Sequence, residues 1–451
     1  MLPGPATSSA EGASADSWSM VVVADFPFRA QLIEACADAD HDGHGEVYVR
    51  GGTEPWPWYV IEHVRGNEYD SLRLNDEGTR IEQVGDVDRD GLVDIISAAY
   101  WEHRLFVFES PDSHSLPLSQ VWVESIGQAR PFFPAITDLD GDSLSEITVN
   151  RENPWCLELY ECTGDNSYEL KVSLPCRSTG SRYPVQTFDM DGDGIPELAV
   201  GAGRNVAFFE SVGDDSLVFL DTVRMLDATL NCFCEALAPA ADMDRDGHSE
   251  LVTATLSWNE QLFKIAVLES HYPDSFEVVW ADTTMPADIG WALAVGDVNG
   301  DSIPDFAVTN GGYVRLYCCA GDDEYKCCWH TDSGGKEVAL YDINSDGRDE
   351  LIHAYRGRTI IREWLPVGVE EKAAEKLRRV EIQPSVVRSR GVVHVSGLPP
   401  SVEVEVVDAS GRVVDRPASS VWRPAYGMAG TFFIRIRAGT QSVVRKVLVV
   451  D

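Results

Sequence analysis

From residue 16 to about residue 366 the chain alternates short apolar runs with polar turns, and no helical period is sustained over that stretch. Each unit opens on an apolar run (QLIEACAD, VQTFD, WALAVGD) that leads into an acidic nonapeptide. A strand-like segment follows, such as ELAVGAG or DFAVTNGG, and then a turn containing Gly, Asn or Trp. A third apolar segment comes next, as in LFVFES at 105–110, LELYEC at 157–162, VAFFES at 206–211 and VRLYCC at 314–319. DSLVFLD at 215–221 and DSFEVVWAD at 274–282 represent a fourth. Four strands in about 50 residues form the blade of a β-propeller. The seventh unit shows three strands, ending in TIIREW at 359–364, while DSWSMVVVAD at 16–25 matches the fourth-strand pattern. The N-terminal strand is therefore expected to complete the last blade and close the ring, leaving no open sheet edge. The alternative is that it is the remnant of a lost upstream blade.

The nonapeptide recurs seven times, with successive starts 48, 52, 51, 53, 55 and 45 residues apart. Its pattern is D-x-[DN]-x-D-[GS]-x-x-[DE], with oxygen-bearing side chains at positions 1, 3, 5 and 9. These are Asp38, Asp40, Asp42 and Glu46 in the first loop, Asp86, Asp88, Asp90 and Asp94 in the second, and Asp138, Asp140, Asp142 and Glu146 in the third. Asp189, Asp191, Asp193 and Glu197 follow, then Asp242, Asp244, Asp246 and Glu250. Asp297, Asn299, Asp301 and Asp305 make the sixth set, and Asp342, Asn344, Asp346 and Glu350 the seventh. Calcium is a hard cation that takes about 6–8 oxygens in a flexible shell, and alternate carboxylates on a tight turn can converge on it. Up to seven calcium ions are expected, since loops without a cation would crowd 26 like-charged carboxylates. Glycine at position 6 (Gly91, Gly194) permits the positive φ of such a wrap. Ser143 and Ser302 take that position in two loops, with Gly141 and Gly300 two residues earlier, so those two turns are expected to differ. An EF-hand needs a carboxylate at position 12 and flanking helices. Position 12 here is Val49, Ser97, Val149, Val200, Thr253, Val308 and His353, none of them acidic. The loop joins two strands.

These seven loops and their strand context resemble the FG-GAP-like or VCBS repeats of bacterial surface proteins, distantly similar to the calcium-binding propeller of integrin alpha chains. The resemblance covers about residues 16–366, without the Phe-Gly and Gly-Ala-Pro signatures of the integrin repeat. It implies calcium loops and a binding or scaffold role, with no particular partner.

A charged linker at 367–379 leads to a segment of different character. Residues 376–451 carry 12 Lys+Arg against 6 Asp+Glu, while residues 1–375 have a net charge of −44. Short alternating strands at 392–397, 402–408, 411–415, 431–439 and 443–451 predict a small immunoglobulin-like β-sandwich over 380–451. IQPS at 382–385, LPPS at 398–401, VVDASGRVV at 406–414, MAGTFFIRI at 428–436 and a terminal RKVLVV resemble the C-terminal sorting domain of type IX secretion substrates. Pro384-Ser385-Val386 replaces the usual Pro-Asn-Pro opening, and Gly430-Thr431-Phe432 the usual Gly-Tyr-Tyr or Gly-Val-Tyr. The resemblance implies export through the type IX secretion machinery to the cell surface or outside. Extracellular calcium would suit loops with dissociation constants on the order of 10⁻⁴–10⁻³ M.

The chain has 451 residues and a formal charge of −38, which excludes a general nucleic-acid binder. No apolar run reaches the length of a membrane-spanning helix. Residues 1–15 read as a disordered segment without signal-peptide character, so the chain is expected to be cytoplasmic or an exported protein lacking its leader, and the C-terminal resemblance favours the second. Of ten cysteines, Cys318-Cys319 and Cys327-Cys328 flank a hairpin turn and suit a cross-strand disulfide in an oxidising compartment. Cys156, Cys162 and Cys176 could supply one further bridge, Cys36 reads as a core residue, and Cys232 and Cys234 read as C-x-C on a loop. No catalytic constellation is found. His41, His44 and His248 occupy non-ligand positions of the loops and read as solvent-exposed.

Turns between second and third strands, opposite the acidic loops, carry Trp56, Trp58, Trp101, Trp155 and Trp258. Links between units carry Arg80, Arg130, Phe132, Phe133, Arg182, Tyr183 and Trp291. Aromatic rings beside guanidinium groups suit a sugar or an anionic polymer, and wedge packing between blades is the competing role. The expectation is a monomeric all-β protein, a seven-bladed β-propeller with a small β-sandwich. It would bind a glycan or a surface protein, the alternatives being a polysaccharide lyase or hydrolase and a purely structural surface module.

Overall fold

The structure is a computed structural model. It describes all residues except 1–16, 36–37, 52–56, 66–67, 75–79, 100, 128–129, 153–155, 176–183, 214–215, 228–231, 273, 287–291, 333, 368–380, 384–385, 389–390, 397–402, 409–411, 418–420, 426–428, 439–440 and 451. The chain divides into two compact units, Val22–Trp364 and the combination of Met1–Val21 with Leu365–Asp451. The segments assigned to the disordered N-terminus and to most of the linker lie outside the described residues, as do Cys36 and Cys176.

The apolar and polar alternation between residues 30 and 367 resolves into seven four-stranded sheets among the described residues. We number them sheets 1 to 7, over residues 30–73, 80–125, 130–175, 185–224, 232–282, 293–331 and 338–367. In sheets 1 to 6 the strands run in chain order, each antiparallel to the next. In sheet 7 the fourth place, beside Arg358–Val367, is taken by Ser17–Phe26. The first strands of successive sheets lie against one another, and that of sheet 7 lies against that of sheet 1, so the contacts form a closed cycle. This is a propeller-like all-β architecture.

Packing between neighbouring sheets supplies the core. Ala39, Tyr48, Trp58 and Val60 of sheet 1 pack with Ile81, Ile95 and Phe106 of sheet 2. Val47, Val49 and Ile61, on the other face of sheet 1, pack with Ile343, Ile352 and Ile361 of sheet 7. Alternation along each strand thus feeds two different interfaces, one on each face. Second strands are the most buried, and Glu46–Gly51, Asp94–Ala99, Glu250–Ser257 and Asp305–Asn310 are buried throughout. Fourth strands are more exposed, as Glu68–Arg73 and Ser119–Ser125 show. In sheets 2 to 6 the pairing of third and fourth strands shifts register at one recurrent place, such as Val107/Phe108, Phe208/Phe209 and Leu316/Tyr317. A bulge there bends each outer strand and adds local twist.

Cys318 and Cys328 are joined across this outer pairing in sheet 6, while Cys319 and Cys327 are free thiols. Cys156 and Cys162 are both buried and free. Cys232 and Cys234 lie on the strand Cys232–Ala240, not on a loop. The register shift between Cys234 and Ala236 breaks the period-two pattern that would have revealed that strand.

In the second unit Val386–Arg388, Gln441–Val450, Gly430–Ala438, Glu403–Asp408 and Val413–Asp415 form a five-stranded sheet in that spatial order. Glu381–Gln383, Val393–Ser396 and Val421–Trp422 form a three-stranded one. One core joins the two layers, with Val395 and Trp422 of the smaller sheet against Phe432, Ile434 and Val447 of the larger. Trp422 is almost fully buried and its indole Nε1 donates to Asp415 Oδ2 at 3.1 Å.

Candidate metal centres at the strand-joining loops

All seven acidic nonapeptides join the first strand of a sheet to the second and share one local fold. The position-5 carboxylate accepts the amide of position 7, as from His44 to Asp42 at 2.9 Å, Ile195 to Asp193 at 2.8 Å and Arg348 to Asp346 at 3.1 Å. Position 4 has a positive φ in every loop, whether it is His41, Arg89, Gly192 or Ser345, and so does position 6. Ser143 and Ser302 sit at φ 76° and 63°, so their loops do not differ from the rest as the glycine placement suggested. Side-chain acceptors on this tight turn hold a left-handed backbone that serine ordinarily avoids.

Position 9 opens the second strand and is almost fully buried. Glu46, Asp94, Glu146, Glu197, Glu250, Asp305 and Glu350 are each no more than 4% exposed. One oxygen of each takes the amide of position 2. Examples are Val87 to Asp94 at 2.8 Å, Met190 to Glu197 at 2.6 Å and Met243 to Glu250 at 2.8 Å. Position 2 is itself apolar and buried: Ala39, Val87, Leu139, Met190, Met243, Val298 and Ile343 are at most 2% exposed. Met190 and Met243 plug the cores toward sheets 5 and 6 respectively. Burial is the largest influence on the position-9 acids. It pushes Glu46 up to about 7, Asp94 and Glu197 to about 8, and Glu250 and Glu350 to about 9, with the loop carboxylates adding to the rise.

The loops divide on the second oxygen of position 9. In loops 2, 4 and 5, Asp94 Oδ1, Glu197 Oε1 and Glu250 Oε1 are buried without a hydrogen bond. In loops 6 and 7 the position-3 residue is asparagine, and its amide turns toward that carboxylate. Asn344 Nδ2 donates to Glu350 Oε1, the second oxygen, whereas Asn299 Nδ2 donates at 3.2 Å to Asp305 Oδ2, the oxygen that also takes the Val298 amide. The carboxylates of Asp38, Asp40, Asp42 and Glu46 approach one another within 4.8 Å. The same holds for Asp189, Asp191, Asp193 and Glu197, for Asp242, Asp244, Asp246 and Glu250, and for Asp86, Asp88 and Asp94. Convergent hard oxygens beside an orphaned buried carboxylate oxygen fit a calcium-type cation. When bound, such an ion would supply the positive charge that these groups lack.

Two recurrent contributors escaped the sequence pattern. The third strand places a glutamate directly across from position 9: Glu62 opposite Glu46, Glu109 opposite Asp94, Glu161 opposite Glu146, Glu210 opposite Glu197 and Glu269 opposite Glu250. Leu351 pairs with Arg362, which sets Glu363 beside Glu350. In sheet 6, Phe306 pairs with Tyr317, so the corresponding position is the disulfide residue Cys318. The visible trace of this contributor is the repeated Glu in LFVFES, LELYEC and VAFFES.

The other contributor comes from the neighbouring sheet. Asn166, Asp274 and Asp323 occupy the tips of the hairpins between third and fourth strands of sheets 3, 5 and 6, each at positive φ. Their backbone amides donate to the position-3 carboxylates of the preceding loop, reaching Asp88 at 2.7 Å, Asp191 at 3.1 Å and Asp244 at 2.8 Å. In sheet 2 the contact uses His114, whose Nδ1 lies 3.3 Å from the Asp40 carbonyl. Tyr168 and Tyr325, from the same neighbouring sheets, bring hydroxyls that are buried without a hydrogen-bond partner. Burial, then Asp94 for Tyr168 and Glu250 for Tyr325, pushes both phenols up.

Among the residues assigned to the opposite end, Trp101 is 71% exposed in the turn between second and third strands of sheet 2. Trp258 occupies the corresponding turn of sheet 5 but packs on the core shared with sheet 6. Trp58 lies within a strand, not in a turn, and is fully buried with its ring 5.4 Å from that of Phe108. Arg80 begins the first strand of sheet 2, and Arg130, Phe132 and Phe133 fall in the first strand of sheet 3. Trp56, Trp155, Arg182, Tyr183 and Trp291 lie outside the described residues. Among the described residues, the acidic side chains of the first, second, fourth and fifth loops converge.

Family models match residues 289–322 as an FG-GAP repeat and residues 189–253 as an FG-GAP-like repeat. The chain carries FG-GAP repeats. The matched stretches contain the fourth, fifth and sixth acidic loops. No curated protein matches the chain. Its structure is similar to that of a protein from Lactobacillus plantarum, with a TM-score of 0.51 at 12% identity over 69% of this chain and 86% of that one. It is similar to BBS1N in its complex with ARL6DN, with a TM-score of 0.51 at 12% identity over 77% of this chain and 97% of that one. PorZ, a surface component of the type-IX secretion system of Porphyromonas gingivalis, gives a TM-score of 0.44 at 14% identity, over 93% of this chain and 59% of that one. At these identities the likenesses to the first two concern the fold alone. Among the described residues no helix is long and apolar enough to cross a membrane.

Proposed function

We propose that this chain is a calcium-stabilised, seven-bladed propeller of FG-GAP-type repeats that acts outside the cell as a non-catalytic binding module for a glycan or a surface protein. The observation that carries the reading is the buried, hydrogen-bond-free oxygen on Asp94, Glu197 and Glu250, each beside other loop carboxylates. A carboxylate oxygen held away from water without a partner is costly, and a divalent cation on the same oxygens removes that cost. The loops would brace the ring from one end. The opposite end, where Trp101 is exposed, would meet the ligand by ring stacking. The C-terminal sandwich would be immunoglobulin-like and serve as the type IX sorting address. The supports for that role are the IQPS, LPPS and MAGTFFIRI segments and the change of charge after residue 375.

Thermal melting with and without calcium tests the cation. A ligand at about one to ten times its dissociation constant stabilises the folded state by about 0.4–1.4 kcal/mol per site, and several sites add. Millimolar calcium should therefore raise the melting temperature by on the order of 10 °C over chelator-treated protein. An unchanged midpoint rejects the reading. Glycan-array and surface-protein binding, compared between the parent and Trp101→Ala, tests the ligand face, and the variant should lose binding while keeping the calcium shift.

A further inference from the structure

The fifth loop carries a second constellation whose chemistry differs from that of the other loops. Asp246 and His248 lie at its positions 5 and 7, and Glu269 and His271 lie two residues apart on the facing third strand. One donor atom from each of the four falls within 4.8 Å of the others. We propose that these four side chains form a site for a zinc-type divalent transition metal ion, separate from the oxygen-only loops.

Four features carry the inference. First, Glu269 and His271 lie two apart on one strand, and the pairing of Glu250 with Glu269 brings the loop that carries Asp246 and His248 beside it. Second, His271 Nδ1 stands 3.5 Å from Glu269 Oε1. That matches the separation of about 3.4 Å between two ligands of a tetrahedral ion with bonds of about 2.0–2.1 Å. The His248 and His271 rings meet edge-on with centroids 5.4 Å apart, so a small ring rotation brings both nitrogens to one point. Third, Glu269 is 1% exposed and its Oε1 has no hydrogen bond, so the pair holds a buried oxygen awaiting a positive partner. Fourth, His271 turns its other nitrogen, Nε2, toward Glu277 Oε1 at 3.7 Å. A carboxylate behind a histidine orients the ring and raises its basicity as a ligand.

Two imidazoles among four donors select a borderline ion over calcium, which prefers oxygen alone. Asp246 also belongs to the fifth loop's oxygen set, so the two ions would meet at one carboxylate. His248, Glu269 and His271 are outside that set.

The test is titration of the full chain with zinc in millimolar calcium, followed by calorimetry, and with cobalt(II), followed by its visible absorption. His271→Ala and His248→Ala are the site variants, and His44→Ala, at the same position of the first loop, is the control. The parent and His44→Ala should bind one zinc at this site with tetrahedral cobalt bands. Either site variant should weaken binding roughly tenfold or more and lose those bands. Circular dichroism and the calcium-dependent melting shift establish that the variants are folded, and each removes a ligand independently of the other. Equal zinc binding by the parent and a folded site variant overturns the proposal, as does cobalt bound only through thiolate, which the absorption of Cys327 or Cys319 coordination would reveal. The calcium shift reads the proposed function and the zinc titration reads this site, so either can fail alone.

Discussion

Glu197 holds the Met190 amide with one oxygen and has no hydrogen bond to the other, although the side chain is fully buried. Glutamine is nearly the same shape, keeps an acceptor for that amide and carries no charge. In chelator at about pH 8, Glu197→Gln should melt at or above the parent, because the buried charge is gone. With millimolar calcium it should be less stable than the parent, by up to about 1 kcal/mol, because a ligand is gone. A variant that loses stability equally in both conditions would mean that the carboxylate serves packing and not a cation.

A buried histidine sets a different pH response. Arg362 Nε donates to His353 Nε2 at 3.0 Å, which leaves the ring proton on Nδ1, facing the Ala354 carbonyl at 3.2 Å. Burial, then the Arg362 charge, pushes His353 down to about 4 from an ordinary 6.5. Below pH 6.5 the unfolded chain takes up a proton that the folded chain refuses. Stability from this group is therefore full above that pH and is lost as the pH falls from 6.5 toward 4. Between about pH 7.5 and pH 5 the loss should be on the order of 2 kcal/mol. Urea unfolding of the parent and of His353→Asn should show this decline in the parent alone, and parallel declines would remove His353 from the account.

At the scale of elements, the acidic loop behaves as a joint between sheets more than as a turn within one. Its position 2 enters the core shared with the next sheet, and its position 3 accepts the amide of that sheet's hairpin tip. Asn166 illustrates the demand on the tip: it has φ 55°, and its side-chain amide donates to Glu109 Oε1 at 2.7 Å. Asn166→Ala removes that donor and leaves the left-handed backbone without the local hydrogen bonding by which asparagine tolerates it, at an expected cost of about 2–3 kcal/mol. Asn166→Gly keeps the backbone and should cost less. Chemical denaturation of both separates the two contributions, and an alanine variant as stable as the parent would show the tip to be incidental.

For the first unit as a whole, closure depends on residues more than three hundred positions apart. Thr359 Oγ1 donates to the Phe28 carbonyl at 2.8 Å and accepts the Ala30 amide at 3.1 Å, and Arg358 pairs with Asp25. Thr359→Val keeps the volume and strands both backbone groups, so it should lower stability by about 2–4 kcal/mol. Equilibrium unfolding measures this directly; a change below about 0.5 kcal/mol would show that closure does not depend on the contact.

Much of this molecule is written locally. Acidic spacing, strand alternation and the paired cysteines of one hairpin each depend on residues within about a dozen positions, and such patterns survive in a linear reading. The third-strand glutamates were visible only as a repeated letter, because their meaning lies in the pairing of that strand with the second, which sets each opposite position 9. The buried residue at position 2 had no pattern of its own and varies from alanine to methionine. The contrast between loops with an orphaned oxygen and the seventh loop, where Asn344 satisfies it, likewise required the side chains to be placed. So did the meeting of His248 with His271, which are separated by 23 positions of chain but joined by one antiparallel pairing. Local chemistry encoded the turns and strands. Contacts between distant strands and neighbouring sheets decided which buried carboxylate oxygens share a hydrogen bond and which have none, because burial and register are properties of the assembled fold.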